Sequence, residues 1–331
     1  AKGLNNNAAD YQSPLMVVKP LELPAKTLKL IIFAGKGGVG KTTTACATAL
    51  RMCEDHPGQR LLLFSTDPAH SLSDCLGQQI HSLPTKVAAN LDAQEINAAA
   101  NFGGIRQEFK DELDAYLKEA LPNLDITFDR EVMEHLLDLA PPGLDEIMAL
   151  TEIMEHSDKG LYDVIIVDAA PIGHLLRLLE MPELIRDWLK LFFSVLLKYR
   201  EIMRLPHLSE RLVALSRSLK SLQGLLQNSQ KTGVYVVTIP TELAIDKTID
   251  MVSSLQQVGV PLQGLLMNQM TPISACAFCH SRSRREAIQI DRARSVFSEQ
   301  PQAGIFRHTD PSGLIMLTSL GNSLYQKTIA V

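Results

Sequence analysis

Gly35-Lys36-Gly37-Gly38-Val39-Gly40-Lys41-Thr42 stands between an apolar run, Leu28 to Ala34, and a helix-forming stretch, Thr43 to Cys53. Strand, glycine-rich turn and helix start, in that order, are the layout of a phosphate-binding P-loop. The glycines let the backbone turn tightly and aim its N–H groups at phosphate oxygens. The helix start adds about half a unit of positive charge. Lys41 would neutralise the β- and γ-phosphates, and the Thr42 hydroxyl would ligate Mg²⁺. The expected phosphate-binding set is Gly35, Lys36, Gly37, Gly38, Val39, Gly40, Lys41, Thr42 and Thr43. A second lysine, Lys36, makes the motif a deviant Walker type. It is either a solvated loop lysine or a cation that reaches nucleotide phosphates, across a dimer interface if need be.

Further short apolar runs follow at Arg60 to Thr66, Tyr162 to Asp168, Gly233 to Ile239 and Leu262 to Asn268, with helical patterns between them. Strands alternating with helices predict a parallel sheet covered on both faces. The P-loop is not repeated, so one nucleotide site is expected. At 331 residues and 46% hydrophobic content the chain can bury a substantial core. A net charge of −5 gives a nucleic-acid partner no global support. No stretch approaches the roughly eighteen apolar residues of a membrane span. No secretory signal is visible, and five cysteines, two of them in the P-loop helix, argue against a disulfide framework. The expected compartment is cytoplasmic. Residues 1–27 carry little periodicity and read as a flexible tail, leaving 28–331 as one P-loop domain.

Residues 97–158 and 183–230 are almost wholly helix-like. Apolar residues cover more than one face of Trp188 to Leu197, and a narrower stripe follows at Leu212, Leu215, Leu219, Leu222 and Leu226. Met133, Met148, Met154, Met181 and Met203 fall in the same region. Two readings stay open: an ordinary helical layer that buries itself, or a surface whose pliable side chains accept varied apolar partners.

Two aspartates follow strands at the sheet edge where the P-loop lies. Asp67, in Ser65-Thr66-Asp67-Pro68-Ala69-His70-Ser71-Leu72-Ser73-Asp74, could orient or deprotonate the attacking water. Asp168, in Asp168-Ala169-Ala170-Pro171-Ile172-Gly173-His174, ends an apolar strand as a Walker-B carboxylate does, and would hold Mg²⁺ through water. The three motifs in this order resemble the P-loop, switch I and switch II of the ATPases that include the arsenical pump-driving ATPase and the tail-anchored-protein targeting ATPase. The resemblance spans about residues 28–325. It implies a doubly wound, mostly parallel α/β sheet of the deviant-Walker P-loop NTPase type, with a helical cargo-binding layer from 97–158 and 183–230. It also implies a Mg-ATP-dependent homodimer in which Lys36 reaches the partner's nucleotide and Asp67 positions water. Asn268 matches the family's adenine-reading Asn, and Pro311 its adenine loop.

Cys276-Ala277-Phe278-Cys279 is a CxxC pair. Two thiolates can share one metal, but a structural Zn²⁺ wants four ligands. A symmetric dimer would supply the other two, giving Cys276 and Cys279 of each copy one shared zinc, as in the zinc-bridged targeting ATPase. A redox pair and an idle pair are the alternatives. No cysteine lies between Cys75 and Cys276, and no second half duplicates the first, so the arsenite relative's thiol site does not carry over. The sequence therefore points to an ATPase that shields hydrophobic membrane-protein segments and meets membranes only through a receptor. The alternative cargo route is an arsenite or antimonite efflux channel. A division- or plasmid-positioning ATPase ranks last, because that kind lacks the CxxC and the long helical inserts.

Overall fold

The computed structural model describes residues 17–66, 71–96, 107, 111, 156, 159–168, 190, 217–218, 220–272, 276–307 and 311–326. Nine strands form one sheet: β1 (Val17–Val18), β2 (Leu30–Ala34), β3 (Leu61–Ser65), β4 (Thr85–Ala88), β5 (Leu91–Glu95), β6 (Val164–Asp168), β7 (Thr232–Thr238), β8 (Leu262–Met270) and β9 (Gln302–Phe306). Their spatial order is β1-β9-β8-β7-β2-β6-β3-β5-β4. The seven central strands run parallel, and only the edge strands β1 and β4 run antiparallel to their neighbours. This is the α/β architecture expected from the alternating pattern. Every residue of β2, β3, β6 and β7 is buried. That is why these segments read as unbroken apolar runs rather than as alternating ones.

Described helices are α1 (Lys41–Asp55), α2 (Ser71–Leu76), α3 (Glu242–Gln257), α4 (Ala277–Val296) and α5 (Leu314–Leu324). Thr241 caps α3 by accepting from the Ala244 N–H. α1 packs on α5 closely enough that a Cβ on Gly321 would collide with the Ala47 carbonyl oxygen. The same seam holds a Thr48–Tyr325 hydroxyl contact of 2.7 Å and an Arg51 to Asn322 bond of 2.7 Å. Burial pushes the Tyr325 hydroxyl pKa well up, so it stays protonated.

Two expectations need revising or narrowing. The stretch taken as tail, 1–27, joins the sheet from Val17 onward: β1 pairs with β9, and Leu21 is 4% exposed. Leu21 N–H donates to Leu324 and its carbonyl accepts from Gln326, both at 2.9 Å. Prolines 20 and 24 break the periodicity that would have marked this edge. Residues 1–16 lie outside the described residues, as do all but three residues of 97–158 and most of 183–230. At the described end of the second stretch, Leu222 and Leu226 are buried. There the leucine stripe is core.

Candidate nucleotide site

The parallel strands β2, β3, β6, β7, β8 and β9 end on one edge of the sheet, and β2 sits where the order reverses: β6, β3 and β5 lie to one side, β7, β8 and β9 to the other. Ligands of open α/β sheets bind at such a switch point. The P-loop leaves β2 there and enters α1 at Lys41. Gly40 caps the helix with φ 94°, a left-handed conformation that glycine adopts without strain. A side chain at Gly40 would also strike the Asn268 amide, so space and conformation both demand glycine. Gly37 and Gly38 are exposed and open around their Cα atoms. The Lys41 ammonium donates to the Lys36 carbonyl at 3.2 Å, bending back over the loop, and Lys36 itself is exposed.

Thr42 Oγ1 donates to Asp168 Oδ2 at 2.6 Å and lies 3.3 Å from Ser71 Oγ. Asp168, 1% exposed, is thus held at the end of β6 against the first turn of α1. A hydroxyl and a buried carboxylate brought together beside an anion-binding loop form an oxygen set suited to a hard cation. When bound, Mg²⁺ would screen phosphate charge there, with Thr42 and Asp168 as the residues to hold it. Glu95, at the end of β5 and 4% exposed, accepts from the Leu72 N–H and the Ser73 hydroxyl, each at 3.1 Å. That carboxylate steadies the start of α2, which carries Ser71 to Thr42. Asp67 and the segment after Asp168 lie outside the described residues.

Asn268, in β8, donates from Nδ2 to the Val39 carbonyl at 2.8 Å and accepts the Gln269 N–H at 2.8 Å. Its amide can make one further donation and one further acceptance. Pro311 stands in the β9–α5 loop on the same sheet edge, half-buried. Sequence reading did not single out Ser71, Glu95, Gln269 or Arg307. Each is polar and common, and only the fold brings it to the loop.

Cys276 caps the start of α4, with Cys279 one turn on. Cys276 is exposed, and the N–H and thiol of Cys279, together with the Phe278 N–H, hold its thiol below the usual range. Among the described residues no group of three or more His, Cys, Asp or Glu is placed to hold a metal ion. Within one copy the thiol pair offers two ligands, not the four of a structural zinc site.

A parallel sheet whose switch point carries a P-loop and a hydroxyl–carboxylate pair defines a P-loop nucleotide hydrolase. Residues 28–326 match the anion-transporting ATPase family, the ArsA ATPases, and the chain belongs to that family. It is an ATPase. An ATPase ASNA1 homolog 1 of Paramecium tetraurelia is 28% identical over 84% of this chain and 86% of its own length. ATPase GET3B of Arabidopsis thaliana is 30% identical over 80% of this chain and 70% of its own. ATPase GET3 of Podospora anserina is 28% identical over 84% of each. Among the described residues no helix is long and apolar enough to cross a membrane.

Proposed function

We propose that this ATPase is a cytoplasmic, Mg-ATP-switched homodimer that shields hydrophobic transmembrane segments and delivers them to a membrane receptor. The observation that carries the reading is the thiol pair at the start of α4, Cys276 exposed and Cys279 half-buried one turn on, which supports a zinc site shared between two copies. A second copy completes four thiolates and sets two nucleotide sites near one another. In that arrangement Lys36 contacts the partner's nucleotide and Asp67 positions the attacking water. Asn268 and Pro311 hold adenine. The residue 97–158 and 183–230 segments of both copies make one apolar groove. A client span of about twenty residues is some 30 Å long, which one copy alone would scarcely cover. Size-exclusion chromatography of the ATPase with ATP and a tail-anchored client tests this. Co-elution that ADP abolishes is expected; failure to co-elute under any nucleotide would overturn the reading.

The second reading, an ATPase energising arsenite or antimonite efflux, would need a thiol site. The free Cys46 and Cys75 thiols are hydrogen-bonded to one another, one helical turn beyond Thr42 on α1 and Ser71 on α2. That hydrogen bond, with burial, pushes Cys46 well up, and the same hydrogen bond draws Cys75 down against the effect of its own burial. A trivalent metalloid takes thiol pairs, but Cys46 is fully buried and offers no approach. Metalloid stimulation of ATP turnover would restore this reading over the first.

A further inference from the structure

β8 carries one extra residue against β9. Met267 pairs with Gly304 and Met270 with Phe306, so three steps on β8 match two on β9. Gln269 sits in this bulge with φ 56°, a left-handed conformation uncommon for a side chain with a Cβ. In a regular strand Asn268 and Gln269 would point to opposite faces. The bulge turns both toward the P-loop. Asn268 donates to the Val39 carbonyl at 2.8 Å, and Gln269 Nε2 donates to the Gly38 carbonyl at 3.2 Å. Arg307, in the residue after β9, donates to Gln269 Oε1 at 2.7 Å. The guanidinium has only donors, so it takes the amide oxygen and leaves the NH₂ to face Gly38.

Two consecutive P-loop carbonyls are therefore held toward β8. In a trans peptide the carbonyl of one residue and the N–H of the next point in opposite directions. Fixing the Gly38 and Val39 carbonyls thus aims the Val39 and Gly40 N–H groups away from β8, into the loop where anions bind. We propose that Gln269, with its amide oriented by Arg307, is a positioning residue that presets the N–H groups of the phosphate cradle. Gln269 touches the loop at Gly38, and its proposed effect on the nucleotide runs through that contact. Its left-handed backbone is the strain that lets one strand supply two adjacent donors.

The inference rests on the P-loop being the nucleotide site, and the experiment separates the two. Isothermal titration of ADP with Mg²⁺ is carried out on the full chain and on Gln269→Met, Arg307→Met, the double variant, Arg307→Lys and Lys41→Ala. Methionine keeps the length of the glutamine and removes its donor. ADP binding should weaken about five- to tenfold in Gln269→Met, the worth of one neutral hydrogen bond, and less in Arg307→Met. The double variant should bind no worse than Gln269→Met, because Arg307 acts only through that amide. Arg307→Lys, which can still donate to Oε1, should bind near the wild-type level, and thermal midpoints of the nucleotide-free proteins should agree. Unchanged ADP affinity in Gln269→Met, additive losses in the double variant, or losses that track a falling midpoint would overturn the proposal. If Lys41→Ala binds ADP as the wild type does, the nucleotide site itself is misplaced. If Lys41→Ala fails and Gln269→Met does not, only the positioning role falls.

Discussion

Thr42 and Asp168 come from sequence positions 126 apart and meet at 2.6 Å. The contact exists because β2 and β6 are neighbours in register, Phe33 opposite Asp168, so both strands end level at the site. A hydroxyl donating to a buried carboxylate is a charge-assisted bond, shorter and stronger than a neutral one. Its role can be isolated by Thr42→Val, which preserves shape and branching while deleting the oxygen. A lost contact to a charged partner is worth about 1.5–3 kcal/mol, which corresponds to roughly ten- to a hundredfold. Mg-dependent ATP turnover should fall by that factor, while nucleotide binding measured in chelator should stay near the wild-type value. Equal losses with and without Mg²⁺ would show that the hydroxyl serves the loop's fold and not a cation. Asp168 cannot be tested as cleanly. It is 1% exposed, and neutralising it changes the charge felt by Cys46 and Cys75.

At the scale of elements, the α1–α5 seam decides how firmly the phosphate loop's helix is seated. Gly321 allows α5 to lie against the Ala47 carbonyl, and Arg51, 8% exposed, reaches Asn322 and Asp55 on the same seam. Gly321→Val inserts a branched side chain into that contact. Overpacking of this kind costs about 1–3 kcal/mol, read as a lower denaturant midpoint with an unchanged slope. A midpoint equal to wild type would mean that α5 is free to shift. The same elements explain what could be read from sequence. β2, β3, β6 and β7 are buried on both faces, so their apolar runs announced them. β5 reads Leu91-Asp92-Ala93-Gln94-Glu95, half polar, because Gln94 and Glu95 bond to the Ser82 carbonyl and to α2. No pattern of hydrophobicity marks such a strand. β4 has four residues and none buried, β9 buries only its middle three, and β1 has two residues between prolines. The site divides in the same way. The P-loop and Asp168 are local signals, a glycine spacing and a strand end. Gln269 and Arg307 meet only through a bulge, and a one-residue shift in register leaves no trace in composition.

At the scale of the whole molecule, one strand links the nucleotide loop to the thiol pair. β8 supplies Asn268 and Gln269 to the P-loop and ends at Met270, and only six residues later Cys276 opens α4. Thr271, just past β8, is tied to α4: buried Glu286 accepts from the Thr271 N–H at 2.7 Å, the Thr271 hydroxyl at 2.9 Å and Arg282 at 2.8 Å. A metal held by the thiol pairs of two copies would therefore fix the distance between two nucleotide loops, which is what a nucleotide-gated dimer requires. Metal binding asks for thiolates, and a proton competes for each one. As pH falls, protons reclaim the thiolates and release of the metal is favoured. The purified protein should accordingly carry one zinc per two chains and run as a dimer at pH 7.5. Chelator, mild acid or Cys276→Ser should each release zinc and shift the mass toward the monomer. ADP binding per chain should be retained, because the loop, Thr42 and Asp168 all come from one copy. Zinc persisting at half an equivalent in Cys276→Ser would show that the thiol pair is not the bridge. A metal-free protein that remained dimeric would move the dimer contact from α4 to another surface.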